Sequence, residues 1–559
     1  MCLLLLIPAF TLRLQQQLLH LLSRIQSAPK HLNARFLLAA VLTAGLFYLV
    51  RVKYFFLGDF NLRMEQIMRG ETLFTEYLTM KCLYAFAKTL ESIGLSNRSS
   101  FELFSCMMGA VFVYSSCRIA WLLGSNLPLR LVLTLAQVVT PMVLVFCGYI
   151  EIYAMPYAAL SLFLYTGVLY LKTGTGMLYV LISLGFAIAC HLLCAACAPA
   201  VLVLWYIKHP NSLLFYRRLS PLKKTCLILL VVFFGYFFIL HSGNGFLIPL
   251  HSSPLSTLSF LSIPHVWELL NGQILSSGLF FCWFIFLGIK VILTQKQLPP
   301  SLLFLLVTAA SLLALISVLD LQRGSGDWDI MAIAAVPIQL GTMLLILNQF
   351  SKKSAMYLLS SCLGMQGLQS TLWIHTQHSD VSIQKIKSML VSDPASYYKA
   401  RMSGRLQVVA LYQFNKLETE AQKEALIECN LMYLSDCRSC VMYAESIRKQ
   451  GKKEETALFY ETLLQKNPNV PEAYLSLFEY YDEKANDKKL NLILNTLFDA
   501  FSRNPNFFLA NLHVKPPIYL MLFQILFNEE RNSGNTERIQ KIYLTIKTLE
   551  DIVNARKEP

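Results

Sequence analysis

The sequence predicts an all-α protein: a polytopic membrane helical bundle of about eleven spans, followed by a soluble helical-repeat domain. Three observations carry that reading. Apolar runs of about twenty residues recur from 36 to 373, long enough to cross a bilayer. The chain is 55% hydrophobic with a mean hydropathy of +0.49, yet only 15% charged, where soluble domains run near about 25%. Beyond 374 the pattern reverses: charged residues become frequent and long apolar runs stop, apart from 518–527.

Residues 1–35 read as a cytoplasmic N-terminal segment. The apolar stretch 1–10 is too short to span and lacks the basic flank of a secretory signal. Leu14, Leu18, Leu21, Leu22 and Ile25 then recur at helical spacing among Arg13, His20 and Arg24, an amphipathic helix lying on the membrane surface. Arg24, Lys30 and Arg35 put this end in the cytoplasm by the excess of cations in inner loops.

The expected spans of the 36–373 domain are 36–50, 102–123, 131–148, 155–171, 176–190, 192–207, 225–241, 278–294, 301–319, 330–348 and 354–373. By pattern alone 176–207 reads equally as one helix or two. Lys208, Arg217, Arg218, Lys223 and Lys224 form the most basic loop and belong on the inner side. That requires an even number of preceding spans, hence a break near His191. The outer side then receives 51–101, 148–153, the His191 corner, 242–277 and 319–329. In 242–277, the prolines at 249, 254 and 264 and the run 267–271 predict a short helix covering a cavity. Nearly every acidic residue among the spans falls on this outer face, as an outward-opening binding or catalytic cavity requires.

The net charge of +14 is therefore read as topology. No basic run interleaved with aromatics offers a nucleic-acid groove. Most of the 14 cysteines sit in apolar runs and behave as small apolar residues. Cys190, Cys194 and Cys197 around His191 mimic a metal cluster, but small residues on a packed membrane helix explain them better. Cys437 and Cys440 form a CxxC in polar sequence, readable as a disulfide or redox pair.

In 374–559, the stretch 451–468 fits the second half of a tetratricopeptide repeat, from Gly451 through Tyr460 to Pro468. Tyr474, Leu477 and Tyr481 take the first-helix positions of the next unit, and Pro505 follows Pro468 at close to the period of about 34 residues. Thr456 and Leu463 stand where small alanines are usual. Such arrays present a surface to a protein partner.

Chemistry points to a few outer residues. Asp59, in Gly58-Asp59-Phe60, sits where the first span leaves the bilayer, a costly place for a carboxylate unless it is used. It also suits the N-cap of a helix from Asn61 to Met68, or an ion pair with Arg63. Glu151 lies in a loop too short and apolar to solvate it freely, flanked by Tyr149 and Tyr153. Asp320, Asp327 and Asp329 crowd one loop and are the carboxylates that would hold Mg²⁺ or Mn²⁺ if the site takes a metal. Arg323 beside Gly324 and Gly326 suits a phosphate instead, and an inert polar hairpin is the plain alternative. The plain reading of His191 is an imidazole satisfied by a backbone carbonyl. No Gly-rich nucleotide loop, nucleophile elbow or HExxH is present, so ATP-driven and serine-hydrolase mechanisms lack support.

These features together resemble the GT-C superfamily of membrane glycosyltransferases: a long first outer loop led by Asp59, an acid at the next outer turn (Glu151), Gly326-Asp327-Trp328-Asp329 before a late span, and a soluble C-terminal domain. Where that superfamily often pairs acids in its first loop, Asp59 stands alone until Glu65. The resemblance implies a sugar donor on a polyprenyl or dolichyl phosphate and transfer at the outer face with inversion. It implies Asp59 as the base on the acceptor hydroxyl. Asp59 and Glu151 are thus the catalytic candidates, with Glu151 or Asp327 aligning the acceptor. Arg63, His191, Arg323, Asp327 and Asp329 are the substrate-binding candidates, Arg323 for the phosphate. The expected partners are membrane lipid, the lipid-linked sugar donor, a glycan or protein acceptor, and a protein on the repeats, in a bacterial inner (plasma) membrane with the C-terminal domain extracytoplasmic. A transporter or flippase, and a non-catalytic scaffold working through its repeats, are the rival readings. Few charges deep in the spans and no inverted repeat weigh against the transporter.

Overall fold

The computed structural model describes residues 32–51, 60–208, 262–294, 298–319, 328–375, 417–432, 437–503, 516–531 and 536–555, with short pieces at 383–384, 408–409 and 412–413. The expected surface helix at 14–25, the span 225–241, and the residues Asp59, Asp320, Arg323 and Asp327 lie outside the described residues. The described elements are all helices, and the chain divides into two compact units, Met1–Val381 and Ser382–Pro559.

In the first unit, α1 (Leu32–Leu49) packs along α4 (Asn97–Leu123), and between them in sequence come α2 (Phe60–Met68), a 3₁₀ turn (Phe74–Glu76) and α3 (Tyr77–Glu91). The polar stretch after the first span is therefore mostly helical. Next come α5 (Leu127–Val138), α6 (Ala154–Thr173), α7 (Met177–Cys190) and α8 (Ala198–Lys208), then α9 (Ile263–Ser277), α10 (Leu279–Thr294), α11 (Pro300–Val318), α12 (Ala335–Gln349) and α13 (Lys352–His375). Four described helices are long and apolar enough to cross a membrane, or five if a bent pair counts as one span. This is the construction of a multi-pass membrane protein. Between helices in lipid the attraction is close packing more than water exclusion. Gly109 shows it: a Cβ there would fall 2.7 Å from the Phe47 ring and 2.8 Å from Phe146.

Several spans differ from the uniform helices expected. The run 131–148 breaks after Val138, and a 3₁₀ segment (Pro141–Phe146) follows. Pro141 has no N–H to donate and excludes Thr140 from the helical region; Thr140 is extended, at φ −132° and ψ 147°. The break expected near His191 is present: α7 ends at Cys190, His191 is extended, and a 3₁₀ segment (Leu192–Cys197) leads into α8. The helix expected at 267–271 is the longer α9, which meets α10 at 113°.

A bend inside an apolar bundle exposes carbonyls that no water reaches. Here side chains satisfy them. Gln366 donates to the Ser277 carbonyl at 3.1 Å, Gln369 to Leu275 at 2.9 Å, Thr140 to Ser276 at 3.0 Å and Thr342 to Phe280 at 3.1 Å. Gly278 forms the corner itself with φ +57°, a conformation that side-chain-bearing residues rarely adopt.

The described helices of the second unit are α14 (Glu418–Met432), α15 (Arg438–Lys449), α16 (Lys453–Lys466), α17 (Pro471–Glu483), α18 (Asp487–Arg503), α19 (Pro516–Arg531) and α20 (Thr536–Ala555). Its core includes the fully buried Tyr460 and Tyr474 with Leu463, Ala473 and Leu477. Thr456 is buried too, its hydroxyl bonded to the Lys452 carbonyl at 2.9 Å. The cysteine pairing differs from the CxxC reading. Cys440 is bonded to Cys429 across the α14–α15 pair, where the two Cα atoms are 4.6 Å apart, and the Cys437 sulfur accepts from Asn467 instead. Proximity across facing helices decides the pairing, and sequence spacing does not report it.

Candidate active site

One buried segment, 147–157, organises the polar end of the first unit. It turns at Gly148, with φ +63°. A Cβ on Gly148 would lie 2.8 Å from the Arg51 Cβ and 3.5 Å from the Glu102 Cβ. Those two side chains belong to a tight triad in which Glu102 accepts from Arg51 Nε and from Arg98 Nε, each at 3.0 Å. The turn is thus seated on a neutralised carboxylate at the start of α4.

From that seat the segment reaches two sites. Toward the late spans, the Tyr157 hydroxyl donates to the Asp329 backbone carbonyl at 2.6 Å, and the Tyr149 hydroxyl lies 3.4 Å from Asp329 Oδ2. Asp329 Oδ1 accepts from the Ile330 N–H at 3.0 Å, so this buried carboxylate is held within the short helix Trp328–Met331 that precedes α12. Toward the middle spans, the Tyr153 ring stacks on His191 with centroids 5.4 Å apart. Glu151, midway between Tyr149 and Tyr153, is buried. The tyrosines two residues on either side of it thus reach Asp329 and His191.

Among the described residues, the His191 ring bonds no backbone carbonyl as its plain reading had it. Its Nδ1 accepts the Leu193 N–H at 3.1 Å, capping the 3₁₀ segment that follows. With Nδ1 an acceptor, the proton of the neutral ring is assigned to Nε2. Burial, then the nearby Arg63 charge, lowers the imidazole pKa to about 4, so the ring at this corner between two apolar helices is neutral near pH 7. The Nε2 atom lies 3.8 Å from Glu76 Oε1, and Arg63 Nη2 lies 3.9 Å from the same oxygen. Neither is a hydrogen-bond distance. Arg63 spends Nη1 on Gln66 Oε1 at 3.3 Å, one turn along its own helix. Burial raises the Glu76 carboxyl above the usual range, with Arg63 and then Thr75 pulling the other way.

Of the seven candidate residues, Arg63, Glu151, His191 and Asp329 gather around segment 147–157 and its stacked partners. Asp59 lies outside the described residues, one position before α2, the helix that carries Arg63. Arg323 and Asp327 also lie outside them. Two of the three carboxylates read as a cation set are therefore not described, and among the described residues no group of three His, Cys, Asp or Glu is placed to hold a metal ion. Cys190, Cys194 and Cys197 are buried thiols of the helix packing.

The sequence reading missed Glu76. It sits in a stretch that looks like a solvated loop, and nothing there recurs at a helical period. Its signal was the company it keeps: Leu73, Phe74, Tyr77 and Leu78 give a lone acid an apolar setting. The 3₁₀ turn then turns it inward, to 5% exposure, beneath α7.

No protein-family model matches the chain, and no curated protein matches it. A similarity to one solved structure, the crystal structure of ArnT from Cupriavidus metallidurans bound to undecaprenyl phosphate, covers 78% of this chain and 81% of that one. The identity is 15% and the TM-score 0.37. At that level the likeness carries no argument about chemistry.

Proposed function

We propose that the protein is a membrane glycosyltransferase. It moves a sugar from a polyprenyl-phosphate-linked donor to an acceptor hydroxyl at the outer membrane face. Asp59 takes the hydroxyl proton, the oxygen attacks the anomeric carbon, and the bond from that carbon to the phosphate oxygen breaks. Polyprenyl phosphate leaves, its charge met by Arg323. Glu151 or Asp327 aligns the acceptor, and Arg63, His191 and Asp329 border the sugar.

The observation that supports this reading best is the convergence on one buried segment. Tyr149, two residues before Glu151, reaches Asp329, and the Tyr153 stack adds His191 and, beyond it, Arg63. Buried polar groups inside an apolar bundle are expensive to assemble, and such expense is usual where chemistry is performed. The outer-face assignment rests on the basic loops, with support from the Cys429–Cys440 bond, since disulfides persist in oxidising compartments. The helices of the second unit, read as degenerate tetratricopeptide repeats, offer a surface for a protein partner or acceptor.

The test is Asp59→Asn in membranes supplied with radiolabelled polyprenyl-phosphate-linked sugar. Loss of a general base lowers transfer by about 100-fold or more. Unchanged transfer at normal expression would remove Asp59 from the mechanism.

A further inference from the structure

Glu76 and His191 present an unusual pair of loose ends. Glu76 is 5% exposed and His191 6%. Among the described residues, Glu76 Oε2 and His191 Nε2 both lack any hydrogen-bond partner. A folded chain satisfies nearly all its buried polar atoms, and the exceptions call for a reason. Here the two orphans are complementary, and they belong to side chains that approach each other. His191 offers an N–H, Glu76 offers carboxylate oxygens, and the 3.8 Å between Nε2 and Oε1 is too long for a mutual bond.

The pair is also held apart by design of its surroundings. Nδ1 of His191 is fixed by the Leu193 N–H, and the ring face is fixed by Tyr153. The imidazole therefore cannot swing to Glu76 without breaking a cap and a stack. On the other side Thr79, one turn beyond Glu76, donates to the Cys190 carbonyl at 2.8 Å and ties α3 to the end of α7. Arg63, 3.9 Å from Glu76 Oε1, offsets the carboxylate charge without bonding it.

A group that accepts one hydrogen bond and donates another complements such a pair. An alcohol does both at one oxygen. An anion would be repelled by Glu76, and an ammonium could not accept from His191. We propose that Glu76 and His191 form a hydroxyl clamp for a sugar. One sugar hydroxyl accepts from His191 Nε2–H while donating to Glu76, with Arg63 balancing the charge and the Tyr153 segment leading to Glu151. Glu76 and His191 are then specificity-determining residues, selecting for the position of one hydroxyl. The class of ligand rests on the glycosyltransferase reading; the clamp itself rests on the two orphaned atoms.

The clamp makes a prediction that a structural role does not. A purely structural Glu76 would stabilise the fold, and its replacement would weaken it. A carboxylate with one buried oxygen kept unbonded for a ligand is a burden to the empty protein, so an apolar residue of similar length is neutral or stabilising.

The experiment uses full-length protein in lipid nanodiscs and the methyl glycosides of glucose, mannose, galactose and N-acetylglucosamine as probes. Binding is read by saturation-transfer NMR and stability by thermal unfolding. Wild type is expected to bind at least one probe. Glu76→Met and His191→Ala weaken it by about tenfold or more, the loss of a hydrogen bond to a charged or buried partner. Glu76→Met unfolds no earlier than wild type, and His191→Gln, which keeps an N–H donor, restores part of the affinity. The clamp is overturned if no probe binds wild type, if the folded Glu76→Met and His191→Ala proteins bind as wild type does, or if Glu76→Met unfolds markedly earlier with binding intact. Transfer of a lipid-linked sugar is measured on the same wild-type preparation. Transfer without probe binding sinks the clamp alone. Clamp-dependent binding without transfer supports the clamp and sinks the glycosyltransferase reading alone.

Discussion

Glu102 and Glu76 are both buried carboxylates of the first unit, yet their surroundings are opposite. Glu102 accepts from two arginines at 3.0 Å each. Glu76 is approached by Arg63 and His191 at 3.9 and 3.8 Å and bonds neither. The first is a finished joint: it neutralises a buried charge and seats the Gly148 turn. The second is an unfinished one, with donor and acceptor held in place for something that is not part of the chain. The difference teaches how to separate structural from functional charge in an apolar bundle. Burial is the same in both, so burial does not decide. Completeness of the hydrogen bonding does.

The largest expected effect is at the finished joint. Glu102→Ala leaves two guanidiniums facing each other without their carboxylate. Removing one partner of a buried pair costs about 3–5 kcal/mol. The lower end applies here, because Arg51 and Arg98 keep 33% and 31% of their side chains exposed. Thermal unfolding in nanodiscs measures it. A loss no larger than that of a surface ion pair would erase the contrast between the two carboxylates.

Gly148→Ala should cost less, about 1–3 kcal/mol for a side chain at positive φ, with Arg51 forced to move by its 2.8 Å contact. Its sharper consequence is on function. The turn aims Tyr149, Glu151 and Tyr153, so transfer should fall even in protein that remains folded at the assay temperature. Normal transfer in Gly148→Ala would mean that the turn does not position the site.

Much of this arrangement was legible in the sequence, and for identifiable reasons. Helix existence followed from long apolar runs, and the His191 corner followed from counting spans against the basic loop at 208–224. Glu151 and Asp329 stood out because carboxylates between apolar runs are rare. Three things were hidden. The kink before Pro141 was a local rule overlooked inside a convincing apolar run. The Cys429–Cys440 pair depends on two helices facing each other, which spacing cannot report. Glu76 was hidden most deeply, because a 3₁₀ turn has no periodic pattern and its burial is imposed by α7, more than a hundred residues later in the chain.

The unfinished joint makes a finer prediction in its pH dependence. Burial raises the Glu76 carboxyl above its usual range. Such a group stabilises the fold below the ordinary carboxylate pKa, and that contribution is lost as pH rises through the raised folded value. His191 has the opposite sign. Its folded pKa, lowered to about 4, makes stability climb as pH rises from there toward the usual imidazole value. The two overlap, so the informative curve is wild type minus Glu76→Gln, with Arg63 and Thr75 as the remaining polar neighbours. That difference should favour wild type at acid pH and decline as pH rises. A flat difference would mean that Glu76 is solvated and has no role as a held-open acceptor.

The smallest effect is expected in the second unit, where a third carboxylate completes the series. Glu461 accepts from Lys489 and from the Tyr481 hydroxyl, each at 2.7 Å, linking α16, α17 and α18. Like Glu102 it accepts two bonds, here both at Oε1, but Lys489 is 41% exposed and Glu461 27%. Burial alone would raise the Glu461 carboxyl; the bonds from Lys489 and Tyr481, with the Lys489 charge, outweigh it and lower the pKa. A depressed carboxylate contributes stability above its unfolded pKa, which is lost as pH falls through the folded value, the reverse of Glu76. Water competes for every one of these bonds, so Glu461→Gln should cost less than about 1 kcal/mol at pH 7. The deficit should vanish at acid pH and shrink in salt. A loss as large as that of Glu102→Ala would show that complete bonding, irrespective of burial, sets the energy. The small loss expected here assigns the energy to burial and leaves completeness to mark which buried charges are finished and which await a ligand.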